Sequence, residues 1–298
     1  MPVSVLPRSL VAVNRKQDNR PSIAGSATRS IERWRNGVMQ PLHDHVAEEI
    51  PVAFVYNDTP FAVMMATPAD LEDFATGFAL SEGIVEHAAE VVVESIEHLL
   101  EGIEIRLRIP ESRAQALESR RRSMSGRSGC GICGSELLES ALRNPAPVCA
   151  DIRIDTTALQ HALRGLRAGQ KINALTGATH AAGWASLEGE LQLVREDVGR
   201  HNALDKLIGA MQMTGLRPEE GFLVVTSRAS YEMAMKAASV GIALMAAISA
   251  PTALAISLAQ RCQLTLIGFA RDDGHAVYTH AQRLLPASAA PANRSETP

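Results

Sequence analysis

A chain of 298 residues, with 46% hydrophobic and 21% charged residues, has the composition of a globular protein with two ordinary domains or one large domain. The net charge of −4 argues against general nucleic-acid binding, and four cysteines are too few for the dense disulfide framework of a small secreted protein. One region departs from this average, because seven arginines and two glutamates between Arg106 and Arg127 give a local charge of +5. Such a region either attracts phosphates or an acidic protein, or is a solvated basic loop.

The chain is expected in the cytoplasm. Arg8 interrupts the N-terminal apolar run, so no signal peptide is predicted. Residues 237–260 carry no charge for 24 positions, which is long enough to span a bilayer. Pro251 divides this stretch into two segments of core-helix length, so a pair of buried helices is predicted and no membrane partner is expected.

The first half of the chain alternates strand-like and helix-like patterns. Residues 50–65 alternate around Asn57-Asp58, which is a hairpin turn signal. A capping pattern at Thr67, with a proline in the first turn, predicts a helix that runs to about residue 82. Strands are predicted over 89–96 and 104–109, a basic loop over 112–128 and a helix over 135–142.

The second half repeats a strand, a polar loop and a helix, which is typical of α/β domains. The predicted strands are 191–195, 221–226 and 264–270, and the helices after the first two are 203–213 and a longer one that ends near residue 248. The polar loops should lie at the carboxyl ends of the strands, where open α/β sheets bind ligands. The predicted division of the chain is a mobile N-terminal arm (1–25), a small α+β domain (26–111), a basic flexible loop with the Cys-x-x-Cys motif (112–135), an α/β domain (136–285) and a disordered tail (286–298).

Cys130 and Cys133 form the Cys-x-x-Cys motif, within the segment GCGICG. Two such sulfurs chelate a metal, form a redox disulfide or leave one thiolate for sulfur chemistry. The N-terminus of the following predicted helix and the positive charge of Arg127 both favour a thiolate, and the glycines allow another molecule to approach. Two buried, inert cysteines fit poorly with a loop rich in glycine and arginine.

Zinc is the main rival to sulfur chemistry at this motif. A structural zinc site needs four ligands, and Cys149 and Cys262 have no partner cysteine at the usual spacing. A deaminase zinc site needs a His-x-Glu motif, which the sequence lacks. A thioredoxin-like site and a dinucleotide-binding Gly-x-Gly-x-x-Gly motif both need a strand just before the motif, where this chain has a basic, serine-rich segment. Sulfur relay is favoured.

Two polar loops between a strand and a helix are candidate phosphate sites. Gly199-Arg200-His201 and Ser227-Arg228 combine helix-start N–H groups with an arginine, as anion sites do. Thr179-His180 and the polar loop at 271–274 are expected to line the same nucleotide pocket. Each loop also has a simpler interpretation, since Ser227 could cap its helix, Arg200 could pair with Glu196, and either histidine could be structural.

Several motifs occur in order along residues 48–284: GCGICG at 129–134, TGATH at 176–180, REDVGRH at 195–201, TSRASYEM at 226–233, GFA at 268–270 and VYTH at 277–280. Together they resemble the FdhD family, whose members are sulfur carriers required by formate dehydrogenase. The resemblance implies a cytidine-deaminase-like three-layer α/β/α domain without the deaminase zinc or a structural metal, beside the smaller α+β domain. It also implies a homodimer.

In this resemblance a cysteine desulfurase donates sulfur to the Cys-x-x-Cys loop, and Cys130 carries it as a persulfide. The acceptor is molybdenum bis(molybdopterin guanine dinucleotide), which is then sulfurated for formate dehydrogenase. The runner-up function is a zinc-binding scaffold in which the motif is half of a site shared across a dimer. The predicted catalytic residues are Cys130 and Cys133, and the predicted cofactor-binding residues are Thr179, His180, Gly199, Arg200, His201, Ser227, Arg228, Phe269, Ala270, Arg271, Asp272, Asp273 and Gly274.

Overall fold

The computed structural model describes residues 23–125 and 145–287. Cys130 and Cys133 lie outside the described residues, as do the expected arm up to residue 22, the helix expected over 135–142 and most of the expected tail. Within the described ranges no helix is both long enough and apolar enough to cross a membrane.

The smaller N-terminal unit is built on three antiparallel hairpins and one helix, which lies between the second and third of them in sequence. Asn57 and Asp58 both have positive φ (45° and 62°), as a tight two-residue hairpin turn requires, so the predicted hairpin is confirmed. The four-stranded sheet has the order β4-β3-β6-β5, and β1 pairs with β2 in a separate two-stranded sheet. The elements are β1 (Ser26–Arg35), β2 (Val38–Ala47), β3 (Ile50–Tyr56), β4 (Thr59–Ala66), α1 (Leu71–Ser81), β5 (Val92–His98) and β6 (Ile103–Arg108).

Helix α1 begins later than predicted. Thr67 is not its N-cap, because the helix starts at Leu71 after Asp70, whose side chain makes no capping hydrogen bond. Thr67 is instead fully buried, with hydrogen bonds to residues of the larger unit. Thr67 therefore matches a capping pattern in sequence but makes long-range contacts in the structure.

The prediction of a basic loop over 112–135 is wrong for the first part of that segment. Residues Glu111–Ser125 form helix α2. Arginine, alanine and glutamate are good helix formers, and Ala114 and Leu117 pack partly against the core. Three of the seven arginines in the region are also paired: Arg106 with Asp58 and Glu104, Arg108 with Glu94, and Arg113 with Glu86 and Glu90.

The larger unit is a six-stranded sheet of order β13-β12-β11-β10-β8-β9. Strands β10, β11 and β12 are parallel, and the other pairings are antiparallel. Every residue of β10 and β11 is buried, which requires layers on both faces and agrees with the expected α/β/α architecture. The elements are β7 (Ile154–Asp155), α3 (Thr156–Gly169), α4 (Lys171–Thr176), β8 (His180–Ser186), β9 (Leu191–Asp197), α5 (Arg200–Thr214), β10 (Gly221–Val225), α6 (Tyr231–Ser239), β11 (Leu244–Ala247), α7 (Ala253–Arg261), β12 (Thr265–Arg271), β13 (Gly274–Val277) and β14 (Leu284–Leu285).

The prediction of two helices over 237–260, divided by Pro251, is confirmed for the second segment, which forms α7, and is wrong for the first. Helix α6 ends at Ser239, and Gly241 (φ 82°) adopts the left-handed conformation that commonly terminates helices. The following apolar run forms β11, a strand buried along its whole length. A short, continuous apolar run has no periodicity that separates a buried strand from a buried helix.

The two units share one hydrophobic core. Helices α1 and α5 cross at Gly77 and Gly209, so closely that a methyl group on Gly77 would lie 1.7 Å from the carbonyl oxygen of Asp205. A methyl group on Gly209 would lie 1.9 Å from the carbonyl oxygen of Asp73. The smaller unit is therefore fixed against the helix that begins at one of the predicted phosphate loops.

Candidate functional site

The predicted cofactor-binding residues of the described chain lie along one edge of the large sheet. The parallel strands β10, β11 and β12 end at this edge, the antiparallel β9 also ends there, and β8 begins there. The loops that follow or precede these strands at the edge hold Thr179, His180, Gly199, Arg200, His201, Ser227, Arg228 and the segment Phe269 to Gly274. Carboxyl edges of open α/β sheets are the usual place for a ligand.

Helix α5 starts at this edge without a side-chain cap. Its N-cap is Gly199, which has no side chain to bond the first-turn N–H groups. The preceding N–H groups are used internally, since Val198 N donates to Thr67 Oγ1 (3.1 Å) and Gly199 N donates to Asp197 Oδ1 (2.7 Å). The first turn of α5 is thus open to an anion, favoured by the helix dipole.

Arg200, at the start of α5, forms no ion pair with a described carboxylate. The alternative pairing with Glu196 is wrong, because Glu196 accepts hydrogen bonds from Ile172 N, Asn173 N and the hydroxyl of Thr179, each at 2.8 Å. Within the described residues Arg200 Nε is buried and has no hydrogen-bond partner. A buried, unsatisfied donor on a cation is costly, so a ligand anion would stabilise it.

The pKa values of His180 and His201, the two histidines near Arg200, are both lowered. Burial lowers the pKa of His180, and nearby Arg200 lowers it further against the opposing effect of Asp197. Burial also lowers the pKa of His201, although Glu232 lies only 2.7 Å from its Nε2 and opposes the change. That short contact lacks hydrogen-bond geometry, so Nε2 counts as unsatisfied. Both rings are therefore neutral near pH 7 and able to donate or accept a hydrogen bond.

Helix α6 also begins at this edge without a side-chain cap. Its N-cap is Ser230, whose hydroxyl is buried with no hydrogen-bond partner in the part of the chain that the structure describes. The expectation that Ser227 could cap the helix is wrong, since its hydroxyl donates to the carbonyl of Arg228 at 3.0 Å. By contrast, Thr252 does cap α7. Arg228 is exposed, and no ion pair joins it to a described residue.

The segment after β12 presents an aromatic ring and two acids. Phe269 has positive φ (51°) and is 45% exposed, at a bulge where β12 pairs irregularly with β13. Such strain in a bulky residue is often found at functional sites. Ala270 is fully buried, so only its backbone could touch a ligand. Asp272 pairs with Arg167 at 2.6 Å, which offsets one of the two negative charges beside the site.

Thr179 is held by a buried hydrogen bond. The Thr179 hydroxyl is buried and donates to Glu196, so this residue supports the loop instead of facing a ligand.

Within residues 23–125 and 145–287 no group of three or more histidine, cysteine or acidic side chains is placed to hold a metal ion. The zinc alternative stays a prediction about Cys130 and Cys133, which lie outside those ranges.

The model of the FdhD/NarQ family matches residues 47–285. The chain belongs to the FdhD/NarQ family. It is 60% identical over 260 residues to a protein of Xanthomonas euvesicatoria pv. vesicatoria named "Sulfur carrier protein FdhD", covering 87% of this chain and 92% of that protein. It is 51% identical over 270 residues to the protein of the same name from Cupriavidus necator, covering 89% and 94% of the two chains. The family match includes the whole candidate edge.

A solved structure has the same fold. The crystal structure of a "putative formate dehydrogenase accessory protein" from Desulfotalea psychrophila superposes with a TM-score of 0.70 at 26% identity. The superposition covers 88% of this chain and 100% of that chain. The α/β fold expected from the sequence is therefore confirmed in a family member.

Four buried residues beside the α5 start are absent from the predicted site: Thr67, Asp197, Asn202 and Lys206. One signal could have pointed to them. Helix α5 is buried at every position from Asn202 to Met211 and yet contains charged residues, and buried charges are rare unless they are paired. A lysine within an apolar helix therefore predicts a buried carboxylate partner.

Proposed function

We propose that this protein is a sulfur carrier that accepts sulfur on Cys130 and passes it to a molybdenum-bound guanine dinucleotide cofactor used by formate dehydrogenase. The observation that carries the cofactor half of this proposal is the edge where two uncapped helix starts meet two arginines, neither of which pairs with a carboxylate of the described residues. The sulfur half is supported by the Cys-x-x-Cys motif and by family members that carry the name sulfur carrier protein.

The sulfur-loading step uses the Cys130 thiolate. It attacks the terminal sulfur of a persulfide on a cysteine desulfurase, a new S–S bond forms on Cys130, and the desulfurase cysteine leaves as a thiolate. The thiolate is the nucleophile in such exchange, so positive charge near Cys130 favours the step. Cys133 can then attack Cys130 Sγ, form a disulfide and release the sulfur as hydrosulfide, with both electrons supplied by the two cysteines.

The acceptor, molybdenum bis(molybdopterin guanine dinucleotide), is a substrate here and carries several phosphates. Phosphate oxygens suit the open N–H groups at the starts of α5 and α6, with Arg200 and Arg228 beside them. The exposed Phe269 ring offers a stacking surface for guanine, and the carboxylate of Asp273 suits the guanine N–H groups. The neutral His180 and His201 add hydrogen bonds without a further charge.

The protein partners follow from the same proposal. A cysteine desulfurase is the sulfur donor, formate dehydrogenase receives the sulfurated cofactor, and the chain acts as a homodimer in the cytoplasm. The chemistry classes it as a sulfurtransferase, because a sulfur atom moves from one carrier to another.

Complementation tests the carrier residue. In cells that lack this protein, Cys130→Ala should abolish formate dehydrogenase maturation, because no thiolate remains to accept sulfur at that position. Cys149→Ala is the matched control, since Cys149 is an exposed free cysteine of the described chain and has no assigned role. Full dehydrogenase activity with Cys130→Ala would overturn the proposal.

A further inference from the structure

A fully buried ion pair lies directly behind the Arg200–His201 turn. Lys206 Nζ is 2.7 Å from Asp197 Oδ2, and neither side chain has any exposed surface. Removing two charges from water is expensive, and an apolar pair of similar volume is often at least as stable. A buried pair of this kind is therefore weak evidence of stability, and its other contacts indicate a different role.

The further hydrogen bonds of this pair join it to Thr67 and to the residues around the turn. Asp197 Oδ1 accepts from Gly199 N at 2.7 Å and from Asn202 Nδ2 at 3.0 Å, while Oδ2 accepts from Thr67 N at 2.9 Å. Lys206 Nζ donates to the carbonyl of Thr67 at 2.8 Å. The carboxylate thus ties the last residue of β9 to the first turn of α5, which is the segment that presents Arg200.

Thr67 completes this arrangement from the other unit of the protein. Its hydroxyl accepts from Val198 N at 3.1 Å, so backbone N and O and side chain all contact the turn or the ion pair. Thr67 precedes α1, and the other end of α1 meets a second buried pair, where Ser81 Oγ donates to Asp205 Oδ1 at 2.6 Å and Lys236 Nζ lies 2.9 Å from the same oxygen. Of these two pairs, only Asp197–Lys206 is joined by these hydrogen bonds to the Arg200–His201 turn.

We propose that the Asp197–Lys206 pair and Thr67 are positioning residues, which hold the Arg200–His201 turn in the conformation that binds the phosphates of a guanine nucleotide. Val198 and Gly199 direct their N–H groups inward to Thr67 and Asp197, which leaves the first-turn N–H groups of α5 for the ligand. The inference rests on the proposed function and adds that the N-terminal unit forms part of the binding site through Thr67.

Thr67→Val and Thr67→Ser separate positioning from packing. Valine keeps the shape of the side chain and removes the acceptor for Val198 N, whereas serine keeps the hydroxyl and removes the methyl group. GDP affinity, measured by calorimetry, should fall about tenfold with valine, as loss of one buried hydrogen bond implies, and should be largely retained with serine. Ser81→Ala, at the other end of α1, is the matched control and should bind GDP as the wild type does.

The titration of His180, followed by NMR without ligand, is a second readout. Arg200 helps to lower the pKa of His180, so a displaced Arg200 should let this pKa rise in Thr67→Val. It should stay unchanged in Thr67→Ser and Ser81→Ala, and Arg200→Ala provides the reference for complete loss of the charge.

The outcomes distinguish this inference from the proposed function. If Thr67→Val binds GDP with wild-type affinity and its His180 titration is unchanged, Thr67 is not a positioning residue. The same conclusion would follow if Thr67→Ser bound GDP as weakly as Thr67→Val. A wild-type protein that does not bind GDP would overturn the nucleotide half of the proposed function. In that case the His180 titration would still decide whether Thr67 holds Arg200 in place.

Discussion

Replacing Arg200 by alanine should weaken GDP binding more than the same change at Arg228. Arg200 Nε is buried and has no hydrogen-bond partner among residues 23–125 and 145–287, so a phosphate contact there would be shielded from solvent. A charge-assisted hydrogen bond of this kind is worth about 1.5–3 kcal/mol, which corresponds to a loss of about ten- to a hundredfold in affinity. Arg228 is exposed, and exposed ion pairs contribute about 0.2–1 kcal/mol, or about fivefold at most.

Isothermal titration calorimetry at pH 8 measures both effects while keeping the histidines neutral in every variant. Arg153→Ala is the control, because Arg153 is also exposed but precedes the start of α3, away from the carboxyl edge. Its GDP affinity should equal that of the wild type. A loss at Arg153→Ala equal to that at Arg200→Ala, or a larger loss at Arg228→Ala than at Arg200→Ala, would refute the reasoning from burial.

Three further predictions concern stability, pH and salt. Gly209→Ala should lower the free energy of unfolding, because the added methyl group clashes with the Asp73 carbonyl. Overpacking of this kind costs about 1–3 kcal/mol, against a gain of about 1 kcal/mol in helix propensity. An unchanged melting temperature would contradict this prediction and show that α1 and α5 can move apart. The lowered pKa values of His180 and His201 mean that the unfolded chain binds more protons, so stability should fall as pH drops below the ordinary histidine pKa of about 6.5. Chemical denaturation from pH 8 to 5 should show a shallower fall in a variant with glutamine at both positions, and identical slopes would contradict this. Replacing the arginines at 120–122 by serine should slow sulfur loading from the desulfurase most at low salt. Electrostatic steering of a partner is screened by salt, over about 8 Å at physiological ionic strength. Equal loading rates for the variant and the wild type at every salt concentration would count against steering of the desulfurase by these arginines.

Local signals in the sequence predicted local structure well. Asn57-Asp58 specified a tight hairpin, and the strand, polar loop and helix pattern after residue 190 placed β9, β10 and β12 together with their loops. The carboxyl-edge rule then brought Arg200 and Arg228 to one edge, because parallel strands end on the same side. These inferences needed only periodicity and the geometry of α/β units.

Features that depend on distant contacts were not predictable in the same way. Thr67 matches a helix cap in sequence, yet its polar groups bond to residues about 130 positions away, which no local pattern encodes. The apolar run after Gly241 forms a strand because it pairs between β10 and β12 in the sheet. The basic segment begins as a helix and not a loop, since arginine itself favours helices and Arg113 pairs with Glu86 and Glu90 from another part of the chain.

Intact-mass spectrometry after incubation with a cysteine desulfurase and cysteine tests the central claim most directly. The wild-type protein should gain the mass of one sulfur atom, and the gain should disappear on reduction and in Cys130→Ala. Cys149→Ala should gain the sulfur as the wild type does, because an exposed cysteine elsewhere in the chain is not the carrier. A Cys130→Ala protein that still acquires the sulfur, or a wild-type protein that acquires none, would contradict the assignment of Cys130 as the sulfur carrier.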